Sequence, residues 1–98
     1  MHQLIEVSST LAQQYFDLEI EAQLNEQQLL ALLTKHISRL LDYDFQGLLN
    51  AMYRVDVEEA KFKLILSHES PEKLAPSLAR LVLDRMMQKA EMRIKYKQ

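Results

Sequence analysis

The densest polar constellation in the sequence is Asp42, Asp44, Tyr53, Arg54 and Asp56, spread over Leu40-Leu41-Asp42-Tyr43-Asp44-Phe45 and Tyr53-Arg54-Val55-Asp56-Val57. Carboxylates beside a phenol and a guanidinium are what general acid–base chemistry uses, because different surroundings can hold one carboxyl protonated and its neighbour ionised. A structural role accounts for them more simply. Asp44 and Asp56 stand where helices need N-caps, whereas Asp42 falls in the last turn of a helix, where the macrodipole disfavours an anion. Asp42 then calls for a cation: Arg39, three residues earlier, or Arg54, if a short helix brings its end back toward its start. The expectation is a polar cluster of Arg39, Asp42, Asp44, Tyr53, Arg54 and Asp56 that clamps three helices, with no catalytic residue in it.

Other constellations carry less. His2, His36 and His68 are widely separated, and none stands four residues from another in an H-E-x-x-H setting, so no metal site is expected. His36, beside Ile37 on an apolar-striped helix, reads as a boundary histidine, and His68 as a solvent-facing loop residue. The single glycine, Gly47, could not build a phosphate cradle. Serines 8, 9, 38, 67, 70 and 77 lack a neighbouring His or Asp pattern, and a chain without cysteine has no thiol nucleophile or thiolate zinc site. No enzyme and no cofactor are expected.

Charge is unevenly spread. Residues 1 to 34 hold Glu6, Asp17, Glu19, Glu21 and Glu26 without a Lys or Arg, while 85 to 98 hold Arg85, Lys89, Arg93, Lys95 and Lys97 against Glu91. Arg85, Met86, Lys89, Arg93 and Lys97 follow helical spacing, which sets a cationic row beside an apolar one that also includes Ala90. Such a helix could meet nucleic acid, with Tyr96 stacking, or could dock by packing on a protein partner or a second copy. With a net charge of −2 and a pI near 5.9, packing is the preferred expectation, and self-association as a homodimer goes with it.

The elements that must position these residues are helices. Leu, Gln and Ala are abundant and β-branched residues scarce. Leu4, Leu11, Tyr15, Leu18 and Ala22 predict a first helix over 3–23, with Ser8-Ser9-Thr10 as a possible break. Asn25 and Gln28 form a capping-box pair before a second helix to Asp42 or Tyr43. After Asp44, the spacing of Phe45, Leu48, Leu49, Met52 and Tyr53 predicts a third. Asp56 with Glu59 repeats the capping-box pattern before 57–66, where Ala60, Phe62, Leu64 and Leu66 also alternate as a strand would; helix is preferred because a lone strand has no partner. Ser67 to Pro71 reads as a loop with Ser70 capping a last helix, and Pro76 implies either a short turn at 71–75 before the main helix at 76–95 or a kink.

The segment from Leu40 to Phe45 with Leu48-Leu49-Asn50-Ala51-Met52-Tyr53-Arg54-Val55-Asp56-Val57 resembles a small bacterial family of uncharacterised helical proteins. In that family a Y-R-[LIV]-D segment precedes a charged C-terminal helix similar to Arg80–Tyr96, so the likeness covers residues 35 to 96. It implies an all-helical fold and carries over no catalytic residue, cofactor or substrate. The expectation is thus a single all-α domain, a small bundle of four to five helices. Its longest apolar run, Leu29–Leu33, is far short of the roughly 20 residues that cross a bilayer, and the N-terminus lacks the basic start of a signal peptide. A cytoplasmic protein away from membranes is expected, and the most consistent function is a noncatalytic protein-interaction module.

Overall fold

Capping and spacing act locally, so the helices fall largely where the sequence puts them. The computed structural model describes residues 2–20 and 23–96, arranged as α1 (His2–Phe16), α2 (Glu26–Tyr43), α3 (Phe45–Val55), α4 (Glu59–His68) and α5 (Pro71–Tyr96). Among the described residues there is no strand, and the fold is an all-α bundle. Lys97 and the 21–22 stretch assigned to the first helix lie outside the described residues.

The Asn25 capping box forms: the Asn25 side chain accepts from the Gln28 N–H at 2.8 Å, and the Gln28 side chain accepts from the Asn25 N–H at 3.0 Å. Asp44 closes α2 and opens α3. Its N–H donates to the Leu40 carbonyl at 2.9 Å, and its carboxylate accepts from the Gly47 N–H at 2.9 Å. A Cβ at position 47 would collide with that carboxylate, so the only glycine of the chain sits where a side chain would displace the cap.

Three boundaries differ from expectation. α1 stops at Phe16 rather than continuing to 23, because Asp17 takes the left-handed conformation (φ 52°), which Asp tolerates better than most residues. Ser8 and Thr10 do not break α1; their hydroxyls donate to the Leu4 and Glu6 carbonyls one turn back. Ser67 and His68 belong to α4, which leaves Glu69 and Ser70 as the whole connection to α5. Glu72's own backbone N–H, and after it the Ser70 hydroxyl, hydrogen-bond the Glu72 carboxylate and hold that carboxyl below its usual range. Residues 57–66 are helical in the main, with no strand, and Pro76 neither ends nor delays α5, which runs through it from Pro71.

α5 is the spine. Its 26 residues, about 39 Å at 1.5 Å per residue, match the 41 Å long axis of the molecule. Ala75, Leu78, Ala79, Val82, Leu83, Met86 and Ala90 form its inward stripe, against Leu11, Ala12 and Phe16 of α1, Leu29, Leu33 and Ile37 of α2, and Leu48 and Met52 of α3. α1, α2 and α3 pack on one another as well as on α5, whereas α4 packs on α5 alone. The alternating pattern of 60–66 explains this: in a helix, residues two apart point to nearly opposite sides, so Phe62 is buried while Leu64 is 58% exposed.

His36 sits at the α1–α2 junction, its ring edge-on to Phe16 at 5.7 Å. Burial, with the Arg39 cation as a lesser cause, holds its imidazole below the ordinary value, while Asp17 works in the opposite direction. A histidine with a lowered folded pKa contributes stability that is complete above its unfolded value, about 6.5, and is lost as pH falls toward the folded value. Urea midpoints of the wild type should therefore decline between neutral and mildly acidic pH more steeply than those of His36→Gln. Parallel declines would remove His36 as the cause.

Candidate functional site

The six residues of the expected polar clamp do not converge. Asp44 is the cap just described. Asp56 does not N-cap α4; it ends α3 in the left-handed conformation (φ 65°, ψ 51°), and Glu58 takes the N-cap position without a side-chain hydrogen bond. An Asp that tolerates left-handed backbone serves a helix end as readily as a helix start, and the packing of α5 selects the end. There Arg85 grips Asp56 twice, its Nε donating to the Asp56 carbonyl at 3.0 Å and its NH2 to the carboxylate at 3.3 Å.

Arg54 does not reach Asp42. It donates to the Gln14 carbonyl at 3.1 Å and lies over the Tyr15 ring at 5.8 Å, while the Lys89 ammonium sits 4.9 Å from the same ring and donates to the Tyr15 hydroxyl at 3.1 Å. Among the described residues Asp42 and Arg39 are exposed and in no ion pair, and Tyr53 is 90% exposed. Asp44 and Asp56 thus bond different partners at opposite ends of α3, and Asp42 bonds neither Arg39 nor Arg54. With one exposed hydrogen bond and one cation–π contact to lose, Arg54→Ala is expected to lower the unfolding free energy by about 1 kcal/mol. Urea denaturation measures it, and a loss above about 3 kcal/mol would restore a buried-carboxylate role.

The basic row also divides. Arg85 is held on Asp56 and Lys89 on Tyr15, and Met86 is fully buried in the core rather than offered to a partner. Arg93 and Lys95 remain exposed on the last turns.

What the sequence did not disclose is a groove of about 1100 Å³ between α3 and α4, floored by α5. Leu49 and Met52 form one apolar wall, Phe62 and Leu66 the other, and Leu81 lies on the floor. Phe45, 44% exposed, and Tyr53 stand at the α3 edge. The groove follows from α4 resting on α5 without touching α3.

Each charged residue lining it is already paired. Asp56 pairs with Arg85, Glu58 with Lys61 at 3.6 Å, Glu59 with Lys63 at 3.0 Å, and Asp84 with Arg80 at 3.0 Å. Gln46 donates to Asn50 within α3, and Gln88 accepts from Arg85. What remains open is the half-buried surface of Leu49, Leu66 and Leu81 between paired charges. The only local signal for it was the alternation of 60–66, and the facing residues lie on two other helices. Among the described residues no three His, Asp or Glu side chains gather as a metal would require, and no helix is long and apolar enough to cross a membrane. Compared with protein families, with curated proteins and with solved structures, the chain finds no match in any of the three.

Proposed function

We propose that this chain is a noncatalytic protein-interaction module of the cytoplasm, and that the α3–α4 groove over α5 is its docking surface. The observation that carries this reading is the groove's composition: half-buried Leu49, Leu66 and Leu81, over buried Met52 and Phe62, lie between ion pairs formed within the chain. Exposed apolar grooves of this kind suit an amphipathic helix laid in by its apolar face. The rim charges are paired within the chain with one carboxylate, Asp84, in formal excess, so apolar contact is the larger part of what the groove offers. Asp44, Arg54 and Asp56 each bond a different neighbour, which favours binding over catalysis.

The experiment is affinity purification from the native host with the wild-type chain and with Leu49→Lys, each checked by circular dichroism for helix content. Leu49 is half-buried at the groove wall, so a lysine there places a charge in the apolar channel while its stem can still pack. Proteins retained by the wild type and lost by Leu49→Lys are the expected result. Identical sets on both baits would overturn the reading. Leu66→Lys, on the opposite wall, repeats the test should the first variant lose helix.

A further inference from the structure

We propose that the groove is filled by the C-terminal end of α5 from a second copy of this chain, in a two-fold dimer; this rests on the reading of the groove as a docking surface. Exposed large apolar residues among the described ones are Tyr43, Phe45, Tyr53, Leu64, Met92 and Tyr96. Phe45 and Tyr53 belong to the groove itself, and Tyr43 and Leu64 lie outside its lining. Met92, 55% exposed, and Tyr96, 77% exposed, lie four residues apart on one helix face, so together they form a ridge.

That ridge continues the groove floor. Leu81, Arg85, Gln88, Met92 and Tyr96 follow steps of four, three, four and four along α5, so floor and ridge share one stripe and face the same way. Leu81 and Met92 are separated by about 16 Å of unbroken helix. A ridge on the same helix as its own groove floor cannot fold back into it, so a ridge that enters must come from another molecule. Because both face one direction, a two-fold axis lets each copy give its ridge and receive its partner's, which closes the assembly as a dimer rather than a chain of copies.

Charge agrees. Asp56, Glu58, Glu59 and Asp84 line the groove against Lys61, Lys63 and Arg85, and the odd carboxylate, Asp84, shares Arg80 with Glu26 at 3.4 Å. The ridge is flanked by exposed Arg93 and Lys95, neither of which has a carboxylate within ion-pair distance among the described residues. A cationic flank thus meets the one place where the groove carries excess negative charge.

Sedimentation velocity of the full chain, from low to hundreds of micromolar, tests the proposal. The wild type should pass from monomer to dimer. Met92→Glu with Tyr96→Glu alters only exposed positions and should weaken dimerisation at least about tenfold, as should Leu49→Lys. The decisive step mixes the two variants: one keeps an intact groove and the other an intact ridge, so a mixed dimer should form where neither variant pairs with itself. A wild type monomeric throughout overturns the proposal, as does a dimer indifferent to both changes, which would place the contact on another face. A monomeric wild type whose Leu49→Lys form still loses a captured protein leaves the docking groove standing and removes only the second copy as its occupant. If Leu49→Lys changes neither, both readings fail.

Discussion

Met86→Ala is expected to lower the unfolding free energy by about 2–5 kcal/mol, the range for truncating a large buried side chain. Met86 is fully buried on the inward stripe of α5, between Val82 and Leu83 on one side and Ala90 on the other, so the lost sulfur and methylenes leave a gap that helix backbones cannot close. Met92→Ala is the control. At 55% exposure on the same helix it should change stability by no more than about 0.5 kcal/mol. Urea midpoints of the two variants separate core from ridge, and equal midpoints would mean that α5 turns a different face inward.

Pro76→Ala should move stability the other way, by about 2 kcal/mol. Pro76 is the sixth residue of α5, beyond the first turn where a proline is harmless, and its ring leaves the Glu72 carbonyl without its usual N–H donor. Alanine restores that donor and removes the clash, a gain of about 3 kcal/mol in a helix interior, from which the greater freedom of the unfolded chain takes back up to about 1 kcal/mol. The Pro76 side chain is exposed, so its removal opens no cavity. Thermal and urea unfolding of the variant read the gain directly. A destabilised Pro76→Ala would show that the fold depends on the proline at this position and would overturn the helix-interior argument.

Some features were legible because their causes lie within a few residues. Asn25 and Gln28 bond reciprocally whatever surrounds them, and Asp44 caps α3 through an N–H three residues away. The spacing of Phe45, Leu48, Leu49 and Met52 needed only an apolar surface to pack on, and α1, α2 and α5 together cover Leu48 and Met52 while Phe45 stays exposed. The pattern at 60–66 was ambiguous for a real reason: its alternation is a poor helical stripe. The ambiguity survives in the fold as an exposed Leu64 and a helix that touches a single neighbour.

The candidate site was scarcely legible. Arg54 and Asp42 looked like partners by proximity in sequence, yet Arg54 bonds a carbonyl 40 residues away and Arg85 takes the carboxylate of Asp56 from 29 away. Lys89, read as part of a free cationic row, is committed to Tyr15 across 74 residues. Sequence spacing sets which way a side chain points from its own helix. It does not say which neighbour it meets there.

From its sequence alone this protein is determined to be helical, with α2 and α3 joined at Asp44, because capping hydrogen bonds and the 3.6-residue period act over one or two turns. Tertiary structure alone decided where α1 ends, that Asp56 closes a helix rather than opening one, that Met86 is core while Met92 is ridge, and that α3 and α4 stand apart over α5. The reason is that an apolar face on an isolated helix is equally suited to a core, a groove or another molecule. Only the angles and distances at which the helices pack determine which part of that face is covered and which stays open to solvent.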